Sequence, residues 1–409
     1  MRLLFAVCLW TAATKGSDFY LHDGDTVVFY GDSITNQRMY TVYAEAYVLT
    51  RFPQLHVRFI HSGFAGDRVS GGAGGTIDQR LQQDVFAYHP TVVTVMLGMN
   101  DGEYQAFDPA IFEKYTSGYR HLITKMKSTL PEARITVLEP SAYDDVTRTP
   151  LFAGGYNTVL LRFGQFVRGL AKEEALTVGD MNDPCVALLR AALKSAPESA
   201  QELIPDRVHP SAGIHMIMAE ALLKTWNAPA LVTSVEIDAA GVVHDAQNTA
   251  VKVVPCQHGI SWTQLDQALP MPLDPPDAMI ALAMRLSDFT KTLNREILKI
   301  TGLAPGNYRL SIDQETIGSF DAAQLSAGIN LAAMATPMSA QAQSVLDLTH
   351  RHNHLNFARR RMVEDSLKPY ALTKVHATED ALDALEDEVI ALQRATAVPK
   401  LHRYQLTKE

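Results

Sequence analysis

Thr26-Val27-Val28-Phe29-Tyr30-Gly31-Asp32-Ser33-Ile34-Thr35 carries an apolar run straight into a glycine, an acid and a serine. A continuous run of β-branched and aromatic residues predicts a strand buried on both faces, as in a parallel sheet covered by helices. A serine just past the carboxyl end of such a strand stands at the mouth of the sheet, where its hydroxyl can meet a ligand. Serine has a plainer use at that place, as the cap of a helix. The stretch is not the Gly-x-Ser-x-Gly turn of α/β-hydrolases, because Thr35 takes the place of the second glycine.

The same pattern continues downstream. His56–His61, Thr91–Leu97, Arg134–Leu138 and Leu176–Val178 predict further strands, with helices over Tyr40–Arg51, Ile77–Tyr88, Ala110–Ser128 and Tyr156–Glu174. Such alternation makes an open α/β sheet with right-handed crossovers, and ligands bind such sheets beyond the carboxyl ends of their strands. There the second strand runs into His61-Ser62-Gly63-Phe64-Ala65-Gly66-Asp67 and the third into Gly98-Met99-Asn100-Asp101. Acyl transfer needs donors aimed at the oxygen that becomes negative, and a glycine N–H or an asparagine amide can serve. An Asx turn explains Asn100-Asp101 equally well. Pro205-Asp206-Arg207-Val208-His209-Pro210 precedes a predicted helix over Ala212–Trp226. Its carboxylate, three residues before the imidazole, can orient one ring nitrogen while the other faces the serine. The bland reading is a surface acid and a helix-capping histidine.

Together these segments resemble the SGNH (GDSL-type) hydrolase family. Gly31-Asp32-Ser33 matches its first block, Gly66 its second, Gly98-Met99-Asn100-Asp101 its third and Asp206-Arg207-Val208-His209 its fifth. The resemblance implies a flavodoxin-like three-layer α/β/α parallel sheet and a serine ester hydrolase acting through an acyl-enzyme. By similarity Ser33 is the nucleophile, His209 the general base and then acid, and Asp206 the orienting carboxylate. The Ser33 and Gly66 N–H groups and the Asn100 amide form the implied oxyanion hole. One departure is His61, which stands where the second block often begins with asparagine, and Gly66 fits that block better than Gly63. This chemistry calls for no metal or other cofactor. The family handles acetylated carbohydrates, short-chain and aryl esters, lysophospholipids and thioesters. An acidic chain with polar loops and no apolar lid favours short-chain acyl or acetyl esters of carbohydrates or small molecules. The rivals are a carbohydrate-binding protein on a degenerate scaffold, a lysophospholipase or thioesterase of the same family, and a metal-dependent hydrolase.

At 409 residues the chain is long enough for two units. The expectation is a hydrolase unit over 17–230 and an accessory region over 231–409, of short strands followed by helices. Ahead of them, one positive charge, the apolar run Leu3–Trp10 and small residues predict a signal peptide over 1–16, hence a secreted or periplasmic protein. A segment that simply docks on the fold is the alternative. Cys185 and Cys256 are then left either to pair or to remain buried thiols.

In the accessory region Val232–Ile237, Ala250–Val254, Ile297–Ile300 and Tyr308–Ile312 read as strands, the last two joined by a turn at Ala304-Pro305-Gly306-Asn307. Ala268–Asp277 reads as irregular, and Ser339–Ser366 and Thr378–Arg394 as helices. Leu382, Leu385, Val389 and Leu392 form a stripe expected to pack against its own chain.

A net charge of −9 argues against nucleic acid or anionic membrane as a partner. Arg359-Arg360-Arg361 is the local exception, expected on a solvated helix face. No later stretch is long and apolar enough for a transmembrane helix. Ser70-Gly71-Gly72-Ala73-Gly74-Gly75-Thr76 lacks the lysine of a phosphate loop and reads as a mobile loop beside the oxyanion turn. His350-Arg351-His352-Asn353-His354 has a spacing that zinc sites use, without the accompanying glutamate signature. Tyr143-Asp144-Asp145 and Phe152-Ala153-Gly154-Gly155-Tyr156 are either pocket lining or plain loop.

Overall fold

The computed structural model describes residues 19–409 apart from 257–258, 274–276, 368–369 and 371. The expected signal segment therefore lies outside the described residues.

Five strands form a parallel sheet: β1 (Thr26–Gly31), β2 (Arg58–Gly63), β3 (Val92–Met96), β4 (Arg134–Leu138) and β5 (Thr177–Gly179). Their order is β2-β1-β3-β4-β5, the flavodoxin-like arrangement. Each of β1, β3 and β4 is buried along almost its whole length, which is why the apolar runs are unbroken. The flanking helices are α1 (Ser33–Asn36), α2 (Met39–Arg51), α3 (Ile77–Asp84), α4 (Pro109–Thr129), α5 (Tyr156–Glu174), α6 (Asp183–Ser195) and α7 (Ala212–Thr225). Their starts are written in the sequence. Thr76 and Gln79 make a capping box for α3, and Asp108 caps α4 ahead of Pro109. Strand order reverses between β1 and β3, so whatever follows those two strands faces the crevice where such folds bind ligands.

The rest of the chain builds a two-sheet sandwich and a helical arm. The strands are β6 (Leu231–Asp238), β7 (Val243–Gln247), β8 (Thr249–Val254), β9 (Ile260–Asp266), β10 (Arg295–Thr301), β11 (Asn307–Ile312), β12 (Glu315–Asp321), β13 (Ile329–Asn330) and β14 (Leu401–Lys408). One sheet runs β8-β9-β14-β11-β12 and the other β13-β10-β6-β7. Trp262, Leu298, Ile300, Leu310 and Tyr404 belong to the core the two sheets share. β10 and β11 were expected to flank one turn, but they lie in different sheets, so that turn carries the chain between layers.

A further helix, α8 (Ala278–Leu286), packs on α7 and adds Ile280 and Leu282 to the core of the α/β unit. Between β13 and β14 the arm leaves the sandwich as α9 (Pro337–Phe357), a π-helical stretch over Ala358–Asp365, and α10 (Val375–Ala397), and lies back across α2 and β2.

Two expectations for the arm are overturned. Arg359-Arg360-Arg361 does not lie on a solvated face. Arg360 is 4% exposed and pairs with Asp84 of α3 and with Asp365, while Arg361 pairs with the same two acids. The acids on α3 and on the same π-helical stretch neutralise these guanidinium groups, which is what lets them be buried. Nor does the leucine stripe of α10 pack inward, since Leu385 is 46% and Leu392 56% exposed. The buried face carries Glu379, Glu386 and Gln393 instead. Specific polar partners explain the inversion. The buried His352 of α9 lies 3.1 Å from Glu386 and 3.0 Å from Glu45 of α2, and Gln393 donates to Glu45 at 3.1 Å. Removing that imidazole leaves two buried carboxylates facing one another. His352→Ala is therefore expected to cost about 3–5 kcal/mol in urea unfolding.

Candidate active site

Ser33, Gly66, Asn100, Asp206 and His209 all come to the crevice at the carboxyl edge of the sheet. Ser33 is the first residue of α1 and half-buried, because Asp32 takes the capping role by accepting the Ile34 N–H at 3.0 Å. The capping alternative for the serine thus falls to its neighbour. His209 Nε2 lies 2.9 Å from Ser33 Oγ, and His209 Nδ1 lies 2.6 Å from Asp206 Oδ2. The other Asp206 oxygen accepts the backbone N–H groups of Val208 and His209 at 2.9 and 2.7 Å. Partial burial opposes ionisation of Asp206. The bonds from His209 and from these two N–H groups outweigh it and hold the carboxyl below its usual range. An imidazole so held presents its free nitrogen to the serine hydroxyl and can take its proton.

The turn carrying Asp206 and His209 is itself fastened. Arg207 sits at φ 73°, a left-handed backbone unusual for a bulky residue. Its guanidinium donates to the carbonyls of Asp144 and Thr149, and its own carbonyl accepts the Asp144 N–H at 2.9 Å. Arg148 ties the buried Asp144 carboxylate to the carbonyls of Ile204 and Pro205. The Tyr143-Asp144-Asp145 segment is therefore the brace of this turn.

The two glycines after β2 divide their work. A Cβ on Gly63 would stand 2.2 Å from the Asn36 backbone nitrogen, so Gly63 is where α1 presses onto the strand end. Gly66 lies at φ 76° in a turn closed by the Asp67 N–H on the Phe64 carbonyl, a conformation that favours glycine. His61 points elsewhere, toward Thr41 at 2.6 Å and Glu45 at 2.9 Å on α2. Asn100 donates to the Asp67 carbonyl at 3.0 Å and accepts from the Tyr104 hydroxyl at 2.8 Å. Tyr104 was not anticipated. Glu103 and Tyr104 both lie at φ 56°, and this bend turns the phenol back onto the Asn100 amide four residues earlier. Tyr156 holds the same loop by donating to the Met99 carbonyl at 2.6 Å.

Behind this turn, burial pushes Asp32 and Asp101 up to about 7, with the Asp67 carboxyl close to both adding to the rise. Burial alone would lower His352, but Glu45 and Glu386 raise it above the ordinary imidazole range. Each of these three groups binds its proton more tightly folded than unfolded. The stability they contribute is present at low pH and lost as pH rises through the folded values. Glu45 runs the other way. Although burial opposes it, His352 and His61 depress it, so its contribution is lost as pH falls below the ordinary carboxylate range. The thermal midpoint is thus expected to peak near about pH 5–6 and to fall steadily toward about pH 9 in a scanning-calorimetry series.

The remaining sequence candidates have structural places. The glycine-rich segment forms a two-residue hairpin, Gly71–Gly72 against Gly75–Thr76, close beside Gly66. Of the three clustered imidazoles, His352 is consumed by the interior network and His354 is exposed. Cys185 is a buried free thiol that burial pushes well up, and Gln405 donates to Cys256 Sγ at 3.8 Å.

A hydroxyl, imidazole and carboxylate aligned at the switch point of a doubly wound sheet, with amide groups from the neighbouring strand ends, is the architecture of an ester hydrolase. Residues 29–217 match the GDSL-like Lipase/Acylhydrolase family. That matched segment is a domain of the family, the SGNH hydrolases, and the protein is a carboxylic ester hydrolase. It is 28% identical over 223 residues to an acetylxylan esterase of Geobacillus stearothermophilus, an overlap of 49% of this chain and 93% of the relative. The structure of BT4096, a gut microbial diltiazem-metabolizing enzyme, matches at 27% identity and a TM-score of 0.83. That match covers 95% of this chain and 98% of the other, so it takes in the sandwich and the arm as well. Among the described residues no helix is long and apolar enough to cross a membrane.

Proposed function

We propose that the protein is a short-chain acyl esterase, acting on acetylated carbohydrates or small-molecule acetates through an acyl-enzyme on Ser33. The observation that carries this reading is the unbroken path from Ser33 Oγ through both His209 nitrogens to Asp206. His209 Nε2 takes the Ser33 proton as Oγ attacks the ester carbonyl. The carbonyl oxygen becomes negative and is met by the N–H groups of Ser33 and Gly66 and the Asn100 amide. The bond to the alcohol then breaks, and the alcohol leaves with the proton from His209. Water, deprotonated by His209, then attacks the acyl carbonyl, the bond to Ser33 Oγ breaks to release the acid, and His209 returns the proton to Oγ. The acetyl preference draws support from the acetylxylan esterase relative. A binding protein on a degenerate scaffold would have no need to keep this relay intact.

The test is covalent. Diisopropyl fluorophosphate should inactivate the protein and leave one phosphoryl group, on the peptide containing Ser33. A fully inactivated protein labelled at another serine would overturn the assignment. On p-nitrophenyl esters from acetate to octanoate, activity is expected to fall as the chain lengthens. Asn100→Ala should lower kcat on the acetate by about 10²–10³-fold with little change in KM, since its donor matters only once charge develops. Tyr104→Phe, which merely frees the Asn100 amide to rotate, should cost less.

A further inference from the structure

A cavity of about 560 Å³ opens between the α/β unit and the helical arm, lined in part by segments that adjoin Ser33 and Gly66 in the chain. Two of its walls run directly out of the proposed reaction centre. Asn36 lines it, one helical turn or about 5 Å of rise beyond Ser33. Ala65 also lines it and immediately precedes Gly66. The opposite wall is the arm, through Phe357 and Arg361. The volume is far more than an acetyl group needs and is ordinary for a drug-sized or sugar-sized ligand. The space therefore suits the alcohol half of the ester.

The lining chemistry narrows the choice of alcohol. Arg361 is neutralised by Asp84 at 3.1 Å and Asp365 at 2.7 Å, and its guanidinium lies 4.7 Å over the Phe64 ring. Arg38 covers Phe357 in the same way at 4.3 Å. Each aromatic wall is thus backed by a guanidinium, and the Arg361 charge that lines the space is neutralised. Asp365 and Ser366 also line the space but are engaged, with Arg360 and Arg361 and with the Met362 carbonyl, so the polar groups left to meet a ligand are chiefly neutral amides. The Asn36 side chain has no hydrogen-bond partner among the described residues. Gln79 and Gln83 use their carbonyl oxygens on Thr76 and Arg360, which leaves their N–H groups uncommitted among those residues. Neutral amides between fixed apolar walls recognise hydroxyl groups on an uncharged ring. They offer little to an anion, an ammonium ion or a long acyl chain.

We propose that this cavity is the leaving-group subsite, that it takes the neutral saccharide portion of an acylated sugar, and that Asn36 and Phe357 set that selectivity. The inference rests on the esterase reading above for the word leaving-group, and on the cavity itself for the saccharide.

The intact protein is titrated with xylotriose, an unacetylated neutral sugar, by calorimetry. Xylotriose is also tested as an inhibitor of p-nitrophenyl acetate hydrolysis. Millimolar binding and competitive inhibition are expected, with about fivefold weaker binding in Asn36→Ala. Ala73→Trp, which swings an indole into the cavity from the exposed hairpin, should abolish binding. It guards the test against a Phe357→Ala variant that merely loosens the arm. Xylotriose bound equally well by wild type and Ala73→Trp, or bound by neither at millimolar concentration, overturns the subsite. Binding with the expected variant pattern in a protein that hydrolyses no ester would sink the esterase reading and keep the saccharide site.

Discussion

Ser33→Ala is expected to lower kcat/KM on p-nitrophenyl acetate by on the order of 10⁴-fold or more, leaving only what oriented donors and binding supply. The expectation follows from the proposed covalent route, because without Oγ no acyl-enzyme forms and water must attack the ester unaided. Among the described residues Ser33 makes a single side-chain hydrogen bond, to His209, so the truncation should leave the thermal midpoint within about a degree or two of wild type. Activity lost together with the fold would say nothing of mechanism, which is why both are measured. A folded variant with more than a tenth of wild-type turnover would remove Ser33 from the chemistry.

Asp206→Asn is expected to be nearly as damaging, by about 10³–10⁴-fold in kcat, with KM little changed. The amide would donate to His209 Nδ1 where the carboxylate now accepts. The imidazole would then carry its proton on Nε2, the nitrogen that faces Ser33 at 2.9 Å, and could not accept another. The position also loses the negative charge that stabilises the imidazolium. Because the Asp206 side chain is 55% exposed, water can replace part of what the carboxylate does. Asp206→Ala should therefore be less impaired than Asp206→Asn, and the reverse order measured on purified variants would contradict an orienting role.

Much of this was legible before any coordinates. β4 and α5 begin and end where the apolar pattern says, because a strand buried on both faces and a helix buried on one leave unambiguous periods. The candidate residues were legible for a related reason. Asp206 and His209 meet within one turn, and Ser33, Gly66 and Asn100 each follow the end of a strand by a few residues, so topology alone brings them to one edge. Other features had no local signal. Tyr104 reaches Asn100 only because two residues adopt left-handed backbone. The bracing of Arg207 by the 144–149 loop joins segments some sixty residues apart. Helix α6 was not among the expected helices, although Pro184 stands in its first turn, a place where helices commonly start.

The amino-acid sequence by itself determined the parallel sheet, the crevice at its carboxyl edge and the residues delivered there, because those follow from local periodicity and from the residue that ends each strand. Only the tertiary structure decided how residues 231–409 are arranged. The carboxyl-terminal strand β14 enters the middle of a sheet whose other members lie up to 150 residues earlier, and α10 turns its leucines outward so that Glu386 can reach His352. Hydropathy scores each residue alone, whereas a buried ion or amide is stable only with its particular partner, and that partner is set by the fold.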